Sequence, residues 1–377
     1  MKIEQRQWRT GEGWTLAGKE VLSGKADLVL AFGGTGALDD DDALDALRVK
    51  YPDAHLVGCS TAGEILGTHV ADGTIAATAI RFDHTQVRTA EVTIHQPQES
   101  RNAGRKLAAR IDKNGLHHVL LISDGQHVNG SELARGVQEE LPANVAVTGG
   151  LAGDGARFQR TLVFADHAPR EDRVVAVAFY GPGLQVGYGS LGGWDPFGPQ
   201  RIVTRSENNV LYELDGQPAL DLYKRYLGEH ASGLPATGLL FPLSIQATPH
   251  DRELVRTILS VNERDKSLTF AGDMPEGSYA RLMKANFDRL VDGAHGAAAN
   301  ASLLHANPDL AILISCVGRK LVLKQRTEQE LEAVRDVLGP QTAMTGFYSY
   351  GEICPASPNA NCELHNQTMT ITTMTET

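Results

Sequence analysis

The sequence predicts a mixed α/β protein: two related halves built from repeated strand–helix–strand units, each ending in a glycine-bearing loop, with helices packed on extended sheets. Three observations carry this reading. A strand–helix–strand pattern recurs from Leu28, Leu120 and Ala311. Two of the loops nearly coincide: GCSTAGEI runs from Gly58 to Ile65 and GFYSYGEI from Gly346 to Ile353, sharing both glycines, the Glu and the Ile. Glycine is also abundant, 39 of 377 residues, without the G-X-Y period of collagen, so it marks turns or close backbone approaches.

Taken in chain order, the apolar run from Leu28 reads as a buried strand. A helix follows with Leu44 and Leu47 on one face, Asp39 to Asp42 near its positive end, and Pro52 as its stop. TIAATAIRF, ending at Phe82, alternates like a strand, and residues 99–112 read as a helix. The second unit has a strand from Leu120, a helix carrying Leu133, Val137 and Leu141, a stop at Pro142, and the loop GGLAGD from Gly149 to Asp154. RTLVFAD and RVVAVAFYG read as strands, and the Gly/Pro-rich residues 189–200 as a linker. Residues 279–292 read as a helix. The third unit follows: a strand from Ala311, a capping box of Thr327 with Glu330, a helical stripe of Leu331, Val334 and Leu338, and Pro340. MTITTMT closes the chain as a strand. The expected division is an N-terminal half, residues 1–200, and a C-terminal half, residues 201–377.

Composition removes several classes. With 42% hydrophobic and 21% charged residues the chain is neither disordered nor a coiled coil. A net charge of −11 argues against a nucleic-acid partner. The N-terminus shows no apolar signal region, and no apolar run is long enough to span a bilayer. No membrane insertion and a cytoplasmic location are therefore expected. Cys59, Cys316, Cys354 and Cys362 suit a reducing compartment. Cys354, Cys362 and His365 fit no zinc spacing. GYGSLG, from Gly187, matches a dinucleotide fingerprint only in letters, because no helix start follows it. No G-x-S-x-G or H-E-x-x-H occurs.

The loops GCSTAGEI, GGLAGD and GFYSYGEI, with ELHNQT from Glu363, occur in an order that resembles the FIST family, bacterial sensory proteins with paired FIST N and FIST C domains. The resemblance runs through nearly the whole chain. It implies ligand sensing rather than catalysis, with an amino-acid-like ligand and output through a separate histidine kinase, diguanylate cyclase or chemoreceptor. The absence of a fused output segment is similar to the stand-alone NosP branch, which binds haem and senses nitric oxide. Haem is thus a possible cofactor, with His365 the first candidate axial ligand and Cys59, Tyr348 and Tyr350 weaker ones. No C-x-x-C-H is present for covalent attachment. A homodimer is a further expectation.

Loops that follow strands carry sites in α/β folds. The candidate ligand-binding set is Cys59, Ser60, Thr61, Gly63, Glu64, Gly149, Gly150, Asp154, Tyr348, Ser349, Tyr350, Glu352, His365 and Asn366. Glycine N–H groups and short hydroxyls would hold a carboxylate, an acid would hold an ammonium, and the tyrosines would form a wall. Each group has a structural reading beside this one. The glycines serve turns, Glu64 and Glu352 cap backbone N–H groups between the halves, Cys59 is a small buried residue, and His365 with Asn366 pins the last strand. The paired carboxylates also permit a hydrolase or lyase using Glu64 and Glu352 as acid and base.

Overall fold

Each of the three apolar runs becomes a strand inside its own sheet, in a computed structural model that describes all residues except 19, 24, 235, 249, 250, 252, 358 and 359. The first unit comprises β1 (Lys2–Arg9), β2 (Leu28–Gly33), α1 (Asp41–Lys50), β3 (His55–Ser60), β4 (Glu64–Leu66) and β5 (Ile75–Arg81). The second comprises β6 (Gln86–Thr93), α2 (Ser100–Ala109), β7 (Leu116–Ser123), α3 (Gly130–Glu140), β8 (Ala146–Leu151), β9 (Val163–Ala165) and β10 (Arg173–Tyr180). The third opens with β11 (Leu184–Leu191). It is interrupted by an extra sheet containing β12 (Trp194–Glu207), β13 (Leu243–Gln246), β14 (Leu254–Arg256) and β15 (Tyr279–Ala285). It resumes with α4 (Phe287–Ala301), β16 (Leu310–Cys316), α5 (Thr327–Leu338), β17 (Ala343–Ser349), β18 (Gly351–Pro355), β19 (Cys362–His365) and β20 (Met369–Glu376).

The three units repeat one topology. β2 pairs parallel with β3 and antiparallel with β5; β7 does the same with β8 and β10, and β16 with β17 and β20. The inner faces share one core that includes Leu30, Phe32, Leu120, Ile122, Ile312 and Ile314. The outer faces are covered by helices: Leu44 and Leu47 of α1 on the first sheet, Leu133 and Val137 of α3 on the second, Leu331 and Val334 of α5 on the third. A strand covered on both faces reads as a continuous apolar run, which is why these strands stand out in the sequence.

The units are locked by exchanged strands. β4 leaves the first unit and pairs with β17 of the third, with Ile65 opposite Gly346. β18 leaves the third and pairs with β8 of the second, with Ile353 opposite Gly149. β9 leaves the second and pairs with β3 of the first, with Phe164 opposite Gly58. The exchange closes a ring of three.

Several local expectations change. Residues 189–200 are mostly strand: β11 ends at Leu191 and β12 begins at Trp194 after Gly192 and Gly193, with Gly198 and Pro199 inside an irregularity between Phe197 and Arg201. A bulge gives proline and glycine a place in a strand. The expected boundary at residue 200 falls inside β12. Residues 279–285 are β15, and the helix begins at Phe287, capped by the Asn286 side chain accepting from Arg289 N. Thr327 and Glu330 form no capping box: the Thr327 hydroxyl donates to Lys324 O, and Glu330 turns inward to Arg319. In GYGSLG, Gly187 and Gly189 lie in β11, where a Cβ would meet the Ala301 and Ala297 carbonyls at 1.9 and 2.3 Å. These glycines admit α4, not a phosphate. All four cysteines are free and buried, and among the described residues no helix is long and apolar enough to cross a membrane.

Candidate functional site

The strand exchange brings the three glycine segments against one another. Ala62 N donates to Tyr348 O at 2.8 Å, Tyr350 N to Leu151 O at 3.2 Å, and Gly153 N to Ser60 O at 2.9 Å. These three bonds run around the ring, one per junction. Gly58, Gly149 and Gly346 lie within strands β3, β8 and β17, not in the loops beyond them. A Cβ on each would sit 1.7–1.8 Å from the carbonyl oxygen of Ala31, Leu121 or Leu313, its partner in the parallel ladder. No side chain fits there at any rotamer.

All fourteen candidate site residues are buried. Their polar atoms are largely bonded within the junction. Glu64 accepts from Thr61 Oγ1 at 2.5 Å and from Thr74 N and Oγ1 at 3.0 and 2.9 Å. Glu352 accepts from Ser349 Oγ at 2.6 Å and from Thr368 N and Oγ1 at 3.2 and 2.9 Å. Burial pushes Glu64 up to about 7 and Glu352 up to about 8. Asp154 accepts from Phe158 N, Gln159 N and Arg160 N and from the Tyr350 hydroxyl. The Tyr348 hydroxyl donates to Glu330, itself 2.8 Å from Arg319 in a fully buried ion pair. Ser60 Oγ accepts from Leu162 N, and Gly150 stands opposite Glu352 in the ladder. Lys320 Nζ reaches over Gly63 to Ala62 O at 2.9 Å. Cys59 lies opposite Val163, its thiol pushed up by burial. His365 pairs with Glu352 across β18 and β19, and Asn366 is buried with neither side-chain atom bonded among the described residues. The segments meet around packed backbone.

Open volume lies beside this junction. A cleft of about 1000 Å³ is bounded by α3, the extra sheet and β19. Its walls include Ser131, Arg135, Leu254, Arg256, Asp273 and Leu364, with Glu276 and Glu363 also lining it. These come from four separated segments, and no motif links them. The sequence signals that touch the cleft are ELHNQT, whose Glu363 and Leu364 line it, with Cys362 before it and Leu141 of the second helical stripe.

A haem at the proposed ligands does not fit these residues. His365 Nε2 lies 3.0 Å from Cys354 O, both tyrosine hydroxyls are bonded to carboxylates, and Cys59 is sealed. None of the four lines the cleft. Asp124, His127 and Asp172 bring three potential metal-ligand atoms within 4.8 Å of one another. The Asp124 carboxylate, however, already accepts from Gln126 N, His127 N, Asp172 N and the Thr161 hydroxyl, which makes it a turn anchor. Cys354, Cys362 and His365 form no such cluster among the described residues.

Comparison with known proteins adds a lineage. The FIST N domain model matches residues 27–217 and the FIST C domain model residues 219–355. An uncharacterized protein of Methanocaldococcus jannaschii is 25% identical over 367 residues; the match covers 87% of this chain, which spans only 66% of that relative's length. An uncharacterized protein of Mycobacterium tuberculosis is 23% identical over 351 residues, covering 90% of each. Among solved structures, a cyanuric acid hydrolase from A. caulinodans aligns with a TM-score of 0.34 at 9% identity, covering 94% of this chain and 91% of its own.

Proposed function

The chain belongs to the FIST family, whose domains are sensory, and from that premise we propose that it senses a small amino-acid-like ligand in the cleft beside the junction. The bound state is passed to a separate partner, a histidine kinase, diguanylate cyclase or chemoreceptor. One observation carries the reading. Glu363 and Leu364 line the cleft, and the next residue of the same strand, His365, pairs with Glu352 of the junction. A ligand touching β19 thus acts on a strand that belongs to the interlocked ring.

The walls offer both signs of charge and an apolar side in Leu254 and Leu364, which suits a small zwitterion. Occupancy that favours one setting of β19 over another shifts a population the partner reads. Glu64 and Glu352 seal the junction in this reading. Neither lines the cleft, so an acid–base reaction between them has no substrate space there.

A thermal-unfolding screen of the full chain against the twenty amino acids tests the proposal. A ligand at 100 times its Kd adds about 2.7 kcal/mol, a shift of several degrees. A flat response to all twenty at millimolar concentration counts against an amino-acid-like ligand.

A further inference from the structure

We propose that Arg256 is the anchor for a carboxylate in this cleft, with Ser131 as the second donor. This rests on reading the cleft as the sensory site. Arg256 ends β14 and is 4% exposed. Its described hydrogen bonds go only to carbonyls: Nε to Asp273 O at 3.3 Å, and Nη1 to Val255 O at 3.2 Å and Leu364 O at 3.1 Å. Among the described residues Nη2 has no hydrogen bond and no carboxylate stands within ion-pair distance. The same chain supplies the contrast. Arg319 is equally buried, and Glu330 meets it at 2.8 Å. A guanidinium keeps its charge in a protein, and a buried charge without a counter-ion is costly. Arg319 is complete within the fold, whereas Arg256 has room for an anion at a cavity wall.

A second donor lies next to it. Ser131 Oγ is buried without a partner among the described residues. Across Gly272, a Cβ would find Arg256 Nε, Leu364 and Ser131 Oγ all at 3.0 Å. The guanidinium edge and the hydroxyl thus stand close together; the Nε hydrogen is already given to Asp273 O, so the donors left for an anion are Nη2 and Ser131 Oγ. Two carboxylates, Glu363 and Asp273, act on Arg256 from beyond ion-pair distance, and Asp273 Oδ1 also accepts from Asn129 Nδ2 at 2.9 Å. One guanidinium and one hydroxyl match a carboxylate. Glu276 and Glu363 on the same cleft disfavour a dianion such as phosphate, and Glu276 attracts a cationic group on the ligand's other end.

The test uses matched probes on the full chain: glycine and glycinamide, alanine and alaninamide, propionate and propanamide, read by thermal unfolding and titration calorimetry. The carboxylates raise the wild-type Tm by about 2 °C or more at concentrations well above Kd, and the amides do not. Arg256→Met loses that response while its ligand-free Tm stays near or above the wild type, because a buried charge without a contact ion pair has been removed. Gly272→Ala, which sets a methyl 3.0 Å from Arg256 Nε and Ser131 Oγ, weakens the response at least tenfold in affinity and serves if Arg256→Met fails to fold. Equal responses to acids and amides, or a response kept by both variants, overturns the anchor. If amines or amides bind with Arg256 replaced, the sensory cleft stands and the anchor falls. If no probe and no member of a broad metabolite panel moves the wild type, the cleft reading falls as well, and the anchor with it.

Discussion

Glu64 and Glu352 occupy equivalent positions in two of the three units, 288 residues apart in sequence, and are satisfied in the same way. Each accepts a hydroxyl from the residue three before it, and the N–H and hydroxyl of one threonine that precedes a strand of its own unit. The pair seals two of the three junctions of the ring.

Their burial makes stability depend on pH. Both folded pKa values lie above the ordinary 4.5, at about 7 and about 8. The unfolded chain loses these protons first as pH rises. The stability from the neutral carboxyls is therefore complete below about pH 4.5 and is lost as pH climbs through 7 to 8, at about 1.4 kcal/mol per pH unit for each group. Urea unfolding between pH 5 and pH 8 should show that fall, and Glu64→Gln with Glu352→Gln should flatten it. A slope that persists in the double variant would show that other groups cause it.

The glycines of the three parallel ladders should not tolerate a methyl group. Gly58→Ala, Gly149→Ala or Gly346→Ala places a Cβ within 1.8 Å of a carbonyl oxygen, so the strand pair must separate at a cost above about 4 kcal/mol. Gly67 is the control. It has a φ of +62° and open space around it, so alanine there should cost only about 1–2 kcal/mol. Comparable losses at Gly67 and Gly346, read by chemical denaturation, would refute the close-approach explanation.

Arg319→Met should cost about 3–5 kcal/mol, because it strands Glu330 in the core without its counter-ion. Adding Glu330→Gln should recover part of that loss. The comparison with Arg256→Met is the informative one: two buried arginines, one paired and one not, should differ in sign or by several kcal/mol.

Tyr350→Phe removes the hydroxyl that donates to Asp154 and accepts from Asp154 N at 3.0 Å. The expected loss is about 1–3 kcal/mol, since buried groups are left unsatisfied. A neutral result would mean that solvent reaches this junction.

The sequence by itself determined the three strand–helix–strand units and the matching of GCSTAGEI with GFYSYGEI. Both are local. A twice-covered strand needs a continuous apolar run, an amphipathic helix needs its stripe, and a repeated junction keeps the same glycine and glutamate. The FIST membership follows from the same stretches. Two local features misread for lack of context: Gly198 and Pro199 signal a loop until β15 is beside them, and Glu330 looks like a cap until Arg319 claims it. Only the tertiary structure decided that β4, β9 and β18 leave their own units and close a ring, because strand pairing across the chain is fixed by which edges are free in three dimensions. The same holds for the cleft. Ser131, Arg256, Gly272 and Glu363 share no pattern in sequence; what unites them is an arginine buried without a contact ion pair and an unbonded hydroxyl close to it, and burial and distance exist only once the chain is folded.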